Sequence, residues 1–201
     1  MMNEQELIAQ RIADLADSVA YFAPQSKMAR ERWVVDAFVR NLGLVPTEGE
    51  IINIQNDPPD IEFRDARFEI KEILDPGRRR HDEYKQELAR VRAISKAQDL
   101  LREFTPKDSS VGEIYDLCLK EAASLDKYTN DFKKQTDLLL YVNLRDVMYV
   151  TEQPYPDTSA LTATGWRSVS FLMGRRSCCL YAGPGAPDFI KQATGRICHL
   201  P

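Results

Sequence analysis

Three charged side chains in the first half of the chain have the types and spacing to do chemistry together: Asp60, behind Pro59, and the pair Glu69 and Lys71 that flanks Ile70. Strand parity brings them to one place. Ile61 and Phe63 share one face of a short extended segment, so Asp60 and Glu62 share the other. Phe68 and Ile70 share a face of the next segment, which leaves Glu69 and Lys71 opposite them. If the two segments pair as a hairpin with their apolar faces together, Asp60 joins Glu69 and Lys71, and a two-residue or a four-residue turn satisfies the pairing. A slip of one residue would drive Asp60 among apolar side chains. Two carboxylates at about 4 Å repel by about 4 kcal/mol at an effective dielectric near 20, so a cation must offset them. Lys71 offers one charge. A Mg²⁺ ion offers two, and it takes one or two carboxylates plus water. Glu31 lies three, four and seven residues before Val34, Val35 and Phe38, on the inward stripe of the preceding helix, where it could add a third carboxylate.

Cations follow close behind. Arg78-Arg79-Arg80-His81 comes directly after the second charged segment and can grip a phosphate backbone or stand in water. Lys133 and Lys134 close a helix, where the dipole favours cations in any case. Arg175-Arg176 falls in a hairpin turn, where edge protection is the simpler role. Cys118, Cys178, Cys179 and Cys198 have no CxxC spacing, and His81 and His199 are scattered. These residues predict buried thiols in a reducing compartment, with no zinc site and no disulfide framework. Cys198 beside His199 in sequence is no nucleophile pair, because catalytic Cys and His meet in space.

The elements that must position the acidic cluster read clearly. Residues 4–20 carry Leu7, Ile8, Ile12, Leu15 and Val19 at helical spacing. Ser26 is placed to cap a second helix over 27–41, with Gly43 beyond its end. Residues 50–55, 60–63 and 67–74 read as three strands in a meander closed by Asp75-Pro76-Gly77. A charged helix follows over 82–104, then a capping box at Ser110 and Glu113 that opens a helix carrying Ile114, Leu117, Cys118, Leu125, Tyr128 and Phe132 inward. Leu138–Leu144 is a central strand covered on both faces. Residues 151–164 read as a loop, 169–173 and 177–181 as a hairpin, and the last twenty residues as irregular.

The bulk composition sets the limits. Hydrophobic residues make up 43% of the 201-residue chain and charged residues 29%, enough apolar material for one core without staples. The longest apolar run, Leu138–Val142, falls far short of the roughly 20 residues of a membrane span, and the first residues show no secretory pattern. A cytoplasmic protein with no membrane association is expected. The net charge of −4 argues against a protein that coats nucleic acid indiscriminately, though not against one that steers it with a local basic patch.

The Pro59-Asp60 and Glu69-x-Lys71 pattern on consecutive strands, within the order helix, three strands, helix, strand, resembles the PD-(D/E)xK nuclease superfamily. More loosely, the chain looks like a small bacterial family of unknown function classed with candidate endonucleases. The resemblance covers about residues 26–145. It implies an α/β, restriction-endonuclease-like αβββαβ core with a mixed central sheet, a helical insertion at about 76–110 and a C-terminal extension with a hairpin at about 146–201, all in one domain. It further implies that Asp60, Glu69 and the backbone carbonyl of Ile70 hold Mg²⁺ or Mn²⁺. Lys71 would activate the attacking water, and Glu31 would match the acidic residue of the first core helix. Arg78, Arg79, Arg80 and Lys134 are the expected nucleic-acid contacts, with DNA ahead of RNA. The expected activity is metal-dependent hydrolysis of phosphodiester bonds. The alternatives are an inactive module of the same fold that binds nucleic acid or a protein, and an interaction protein that dimerises through the charged helix.

Overall fold

The computed structural model describes residues 3–55 and 58–199. The chain divides into two compact units. Met1–Arg30 and Pro76–Pro106 form one, and Glu31–Asp75 and Lys107–Pro201 form the other.

The first unit contains α1 (Glu4–Tyr21), the opening of α2 (Lys27–Asn41) and α3 (Arg80–Arg92). A capping box between Asn3 and Glu6 starts α1. Ser26 does not cap α2. Its hydroxyl donates to the Ala20 carbonyl at 3.0 Å, within a 3₁₀ turn over Pro24–Ser26. Leu15, Leu88 and Val91 form a small core with Ile12, Val19, Ile94 and Leu100 around it. That core explains why α3 stops at Arg92 and does not run on to 104. The chain must turn back for Ile94 and Leu100 to reach Leu15, and Arg90 fixes the turn by donating to the Asp99 carbonyl at 2.7 Å.

The second unit holds a mixed sheet, seven-stranded among the described residues, in the order β1-β2-β3-β5-β7-β8-β9. Its strands are β1 (Ile51–Asn53), β2 (Ile61–Phe63), β3 (Ala66–Leu74), β5 (Asp137–Asn143), β7 (Ser168–Met173), β8 (Arg176–Ala182) and β9 (Ile197–His199). β1, β2 and β3 form an antiparallel meander. The chain then crosses through α4 (Val111–Ser124) and α5 (Asn130–Lys133) to β5, which lies parallel to β3. β7 is parallel to β5, and β8 and β9 return antiparallel. β4 (Lys107–Ser110) and β6 (Val147–Thr151) form a separate parallel pair, and α6 (Asp188–Gln192) precedes β9. The fold is therefore mixed α/β around a central mixed sheet. α6 and β9 occupy a stretch that reads from sequence as irregular chain, because each is too short to show a period.

The two sheet faces are covered by different helices. Val34, Val35, Phe38 and Val39 of α2 pack with Ile61, Phe63, Phe68 and Leu139. Val111, Ile114 and Cys118 of α4 pack with Ile73, Leu138, Leu140, Val142 and Phe171. The capping box at Ser110 and Glu113 forms as the sequence predicts. α4 nevertheless ends at Ser124, so Tyr128 sits in the following turn and Phe132 in α5, which Thr129 caps.

At the N-terminal ends of the parallel strands, the buried Asp137 carboxylate is fully used. It accepts from the Arg67 amide at 3.1 Å, from Ser168 Oγ at 2.7 Å and from Nε of Arg167 at 3.1 Å, with a second bond from the Arg167 guanidinium. This network joins β3, β5 and β7 through one side chain. Among the described residues no helix is long and apolar enough to cross a membrane. The four cysteines are free thiols. Burial pushes Cys178 up to about 12 and Cys179 up to about 11, which keeps both protonated and inert.

Candidate functional site

The site is built on β3. Arg64 and Asp65 make a two-residue turn, which sets the register Ile61–Phe68 and Phe63–Ala66 between β2 and β3. Arg64 takes a left-handed φ of 54° and is held there by Glu50, at 3.2 Å, and by the Phe63 ring, 4.9 Å from its guanidinium carbon. Alternation along β3 then turns Phe68 toward α2. It turns Glu69 and Lys71 the other way, abreast of Leu138 and Leu140.

Asp60 reaches the same part of β3 along its edge. Regular pairing of β2 with β3 ends at Ile61–Phe68, and Pro59, which has no N–H, could not extend the ladder as a donor. The backbone amide of Asp60 donates to the Phe68 carbonyl at 3.0 Å. Its side-chain Oδ2 accepts the Ile70 amide at 2.8 Å. The Asp60 carboxylate thus takes the place of a strand carbonyl and sits, 4% exposed, against the backbone between Glu69 and Lys71.

Glu69 is 1% exposed. Its Oε1 accepts from Lys71 Nζ and from the hydroxyl of Tyr128. Lys71 Nζ also donates to the Ile70 carbonyl at 3.0 Å, so one ammonium bridges a carboxylate and a carbonyl from adjacent residues. Oε2 of Glu69 is buried with no hydrogen-bond partner. A buried acceptor left in this state costs stability, and it is usually explained by water, an ion or a functional role.

Tyr128 is the functional side chain that sequence reasoning misses, since it reads only as one more inward aromatic. It stacks on Phe132 at 5.0 Å and meets Trp166 edge-on at 5.5 Å. Trp166 is fixed in turn by donating to the Ala122 carbonyl at 3.3 Å. Burial, and then the Glu69 carboxylate, push the phenol up to about 12, so it remains a proton donor at neutral pH. The one available signal was general: a buried tyrosine needs a partner for its hydroxyl. Lys127 Nζ lies 4.7 Å from the same ring and Lys71 Nζ 5.6 Å.

The other expected site residues are placed as follows. Glu31 lies on α2, which covers the face of the sheet opposite Glu69 and Lys71. Among the described residues no group of three or more His, Cys, Asp or Glu side chains gathers to hold a metal. Arg78 and Arg80 belong to the first unit and are engaged within it. Arg78 pairs with Glu83 at 2.8 Å, and the Arg80 guanidinium lies 3.8 Å from the centre of the Phe22 ring. Arg79 is exposed at the start of α3, and Lys134 is exposed just after α5. Within the second unit, Asp60, Glu69, Ile70 and Lys71 come together, and the two carboxylates with the Ile70 carbonyl are the groups that could hold a metal.

No curated protein matches the chain. Among solved structures, it is similar to a protein of unknown function from Pseudomonas aeruginosa strain PAO1 whose description places that protein in the monooxygenase superfamily. The two are 24% identical with a TM-score of 0.65, over 96% of this chain and 92% of the other, a likeness of fold alone. The family model described as "Putative endonuclease, protein of unknown function (DUF1780)" matches residues 3–201, and the chain belongs to that family.

Proposed function

We propose that the protein is a divalent-metal-dependent phosphodiesterase acting on DNA or RNA, with its site at Asp60, Glu69, Ile70 and Lys71 on a PD-(D/E)xK type of core. The observation that carries this reading is Glu69: a carboxylate withdrawn from water, with one oxygen held by Lys71 and Tyr128 and the other buried and unpartnered. A purely structural ion pair gains nothing from the orphaned oxygen, whereas a cation site needs it. The donor set fits the ion. Two carboxylates and a carbonyl are all-oxygen ligands, as a hard cation such as Mg²⁺ or Mn²⁺ prefers, and Mg²⁺ commonly keeps several waters beside one or two carboxylates. A bound ion would supply Lewis-acid charge at a phosphoryl oxygen and lower the pKa of water.

The chain's own residues do the rest. Asp60 and Glu69 hold negative charge on either side of Ile70, and the Ile70 carbonyl adds a neutral acceptor. In this structure the Lys71 ammonium neutralises Glu69. Swung off the carboxylate, it can orient an attacking water and stabilise charge building on the phosphate. Lys127 adds a cation beside the site, and the exposed Lys134 is a candidate for a backbone contact. The family description as an endonuclease supports the reading at a coarse level. The strand meander followed by a helical crossover to a parallel strand agrees with it.

The test is cleavage of labelled single-stranded DNA, duplex DNA and RNA by the full chain with Mg²⁺ or Mn²⁺. Cleavage is expected to vanish on adding EDTA and in D60A, E69Q and K71M. Activity equal in wild type and all three variants would belong to a contaminant and would sink the proposal. A second reading, a nucleic-acid-binding module without turnover, is favoured by the ammonium already bridging Glu69 and Ile70. It predicts binding by the wild type with no cleavage in any metal.

A further inference from the structure

Glu69 presents two oxygens with opposite fates. Oε1 receives two donors from different parts of the chain, Lys71 from the same strand and Tyr128 from the turn after α4, while Oε2 receives none. A carboxylate can rotate about its last bond and swing on its stem. The bond to Lys71 does not prevent this, because the lysine stem is long and flexible and its ammonium must be free to move if it serves a substrate. Tyr128 differs in each respect. Its ring has few rotatable bonds and is held between Phe132 and Trp166, and Trp166 is 2% exposed and anchored to the Ala122 carbonyl. The hydroxyl is therefore a fixed point delivered by the α4 side of the unit, and the carboxylate leans on it.

We propose that Tyr128 is a positioning residue of the site: its hydroxyl fixes the orientation of the Glu69 carboxylate through Oε1 so that Oε2 is the oxygen offered to a divalent cation. The inference rests on the functional reading above and assigns that site a supporting residue from outside the β2–β3 hairpin. The physical logic is that of outer hydrogen-bond partners at metal sites, which fix the geometry and basicity of a ligand without touching the ion. Tyr128 reaches the site through the Glu69 carboxylate, with Lys71 Nζ 5.6 Å from its ring centre. It acts on the carboxylate as a hydrogen-bond donor to Oε1.

The experiment is calorimetric titration of Mn²⁺ into the full chain, wild type against Y128F, F132L and E69Q, with unfolding curves and cleavage kinetics on the same samples. Y128F keeps the ring and its packing and loses only the hydroxyl. It is expected to bind Mn²⁺ more weakly by about tenfold or more and to lose kcat with little change in KM. F132L loosens the ring stack and keeps the hydroxyl, and its Mn²⁺ affinity is expected to stay near wild type. Y128F binding Mn²⁺ as the wild type does would overturn the role of Tyr128 while leaving the metal site standing. Equal weakening in Y128F and F132L would reduce Tyr128 to packing and overturn it too. If E69Q also binds Mn²⁺ like the wild type, the functional reading itself fails.

Discussion

The carboxylate of Asp60 accepts the backbone amide of Ile70 at 2.8 Å, so a side chain from the strand before the hairpin turn completes the hydrogen bonding of the strand after it. This one bond gives Asp60 a structural duty besides any chemical one, and it separates two substitutions that a sequence reading would treat alike. D60A leaves a buried N–H without an acceptor and is expected to lower the unfolding free energy by roughly 1–3 kcal/mol. D60N keeps an oxygen for Ile70 and should cost less than half as much, while both abolish metal-dependent cleavage. Urea unfolding of the two variants checks the order. A D60A protein as stable as D60N would mean that the bond contributes little.

Lys71 and Glu69 form a pair in which the carboxylate is 1% exposed and the lysine 23%. Removing the cation alone strands a buried charge. K71M is expected to destabilise the protein by roughly 3–5 kcal/mol, and the double variant E69Q/K71M by clearly less, because the charge goes with its partner. The double-mutant cycle from denaturant melts measures the coupling. Additive effects would show that the two groups do not interact in solution.

Tyr128 has a signature at high pH. Its folded phenol titrates at about 12, above the ~10 of an unfolded tyrosine. The folded state therefore holds the proton more tightly. The stability this confers is complete below about 10 and is lost as pH rises through about 12. Wild type minus Y128F, compared by denaturant melts across that window, should show a component that falls with rising pH. A difference that is flat with pH would place the hydroxyl away from Glu69.

Asp137 offers a contrasting case, a buried carboxylate with every bond made. D137A strands the Arg167 guanidinium and the Ser168 hydroxyl at the start of β5 and β7. It should cost roughly 3–5 kcal/mol in stability. In the molecules that remain folded, cleavage should be unchanged. Loss of cleavage in fully folded D137A would give this network a role beyond holding three strands together.

Period and parity carried much of this protein in the sequence. The alternation of Ile61 and Phe63, then Phe68 and Ile70, fixed which residues of the hairpin enter the core, and a two-residue turn at Arg64-Asp65 left Glu69 and Lys71 on the other face. The apolar run after Asp137 marked the central strand, and Ser110 with Glu113 marked the start of α4. These signals are local, and burial of one face enforces them. Other features depend on distant parts of the chain meeting: the pairing of the N-terminal residues with 76–106 as a separate unit, the end of α3 at Arg92, the assignment of α2 to the face away from Glu69, and the arrival of Tyr128 at Oε1. No periodicity announces them, because each is settled by which surfaces remain to be buried once the local elements exist. The sequence named the charged residues. Only the tertiary structure decided which oxygen of Glu69 is held and which is left without a hydrogen bond.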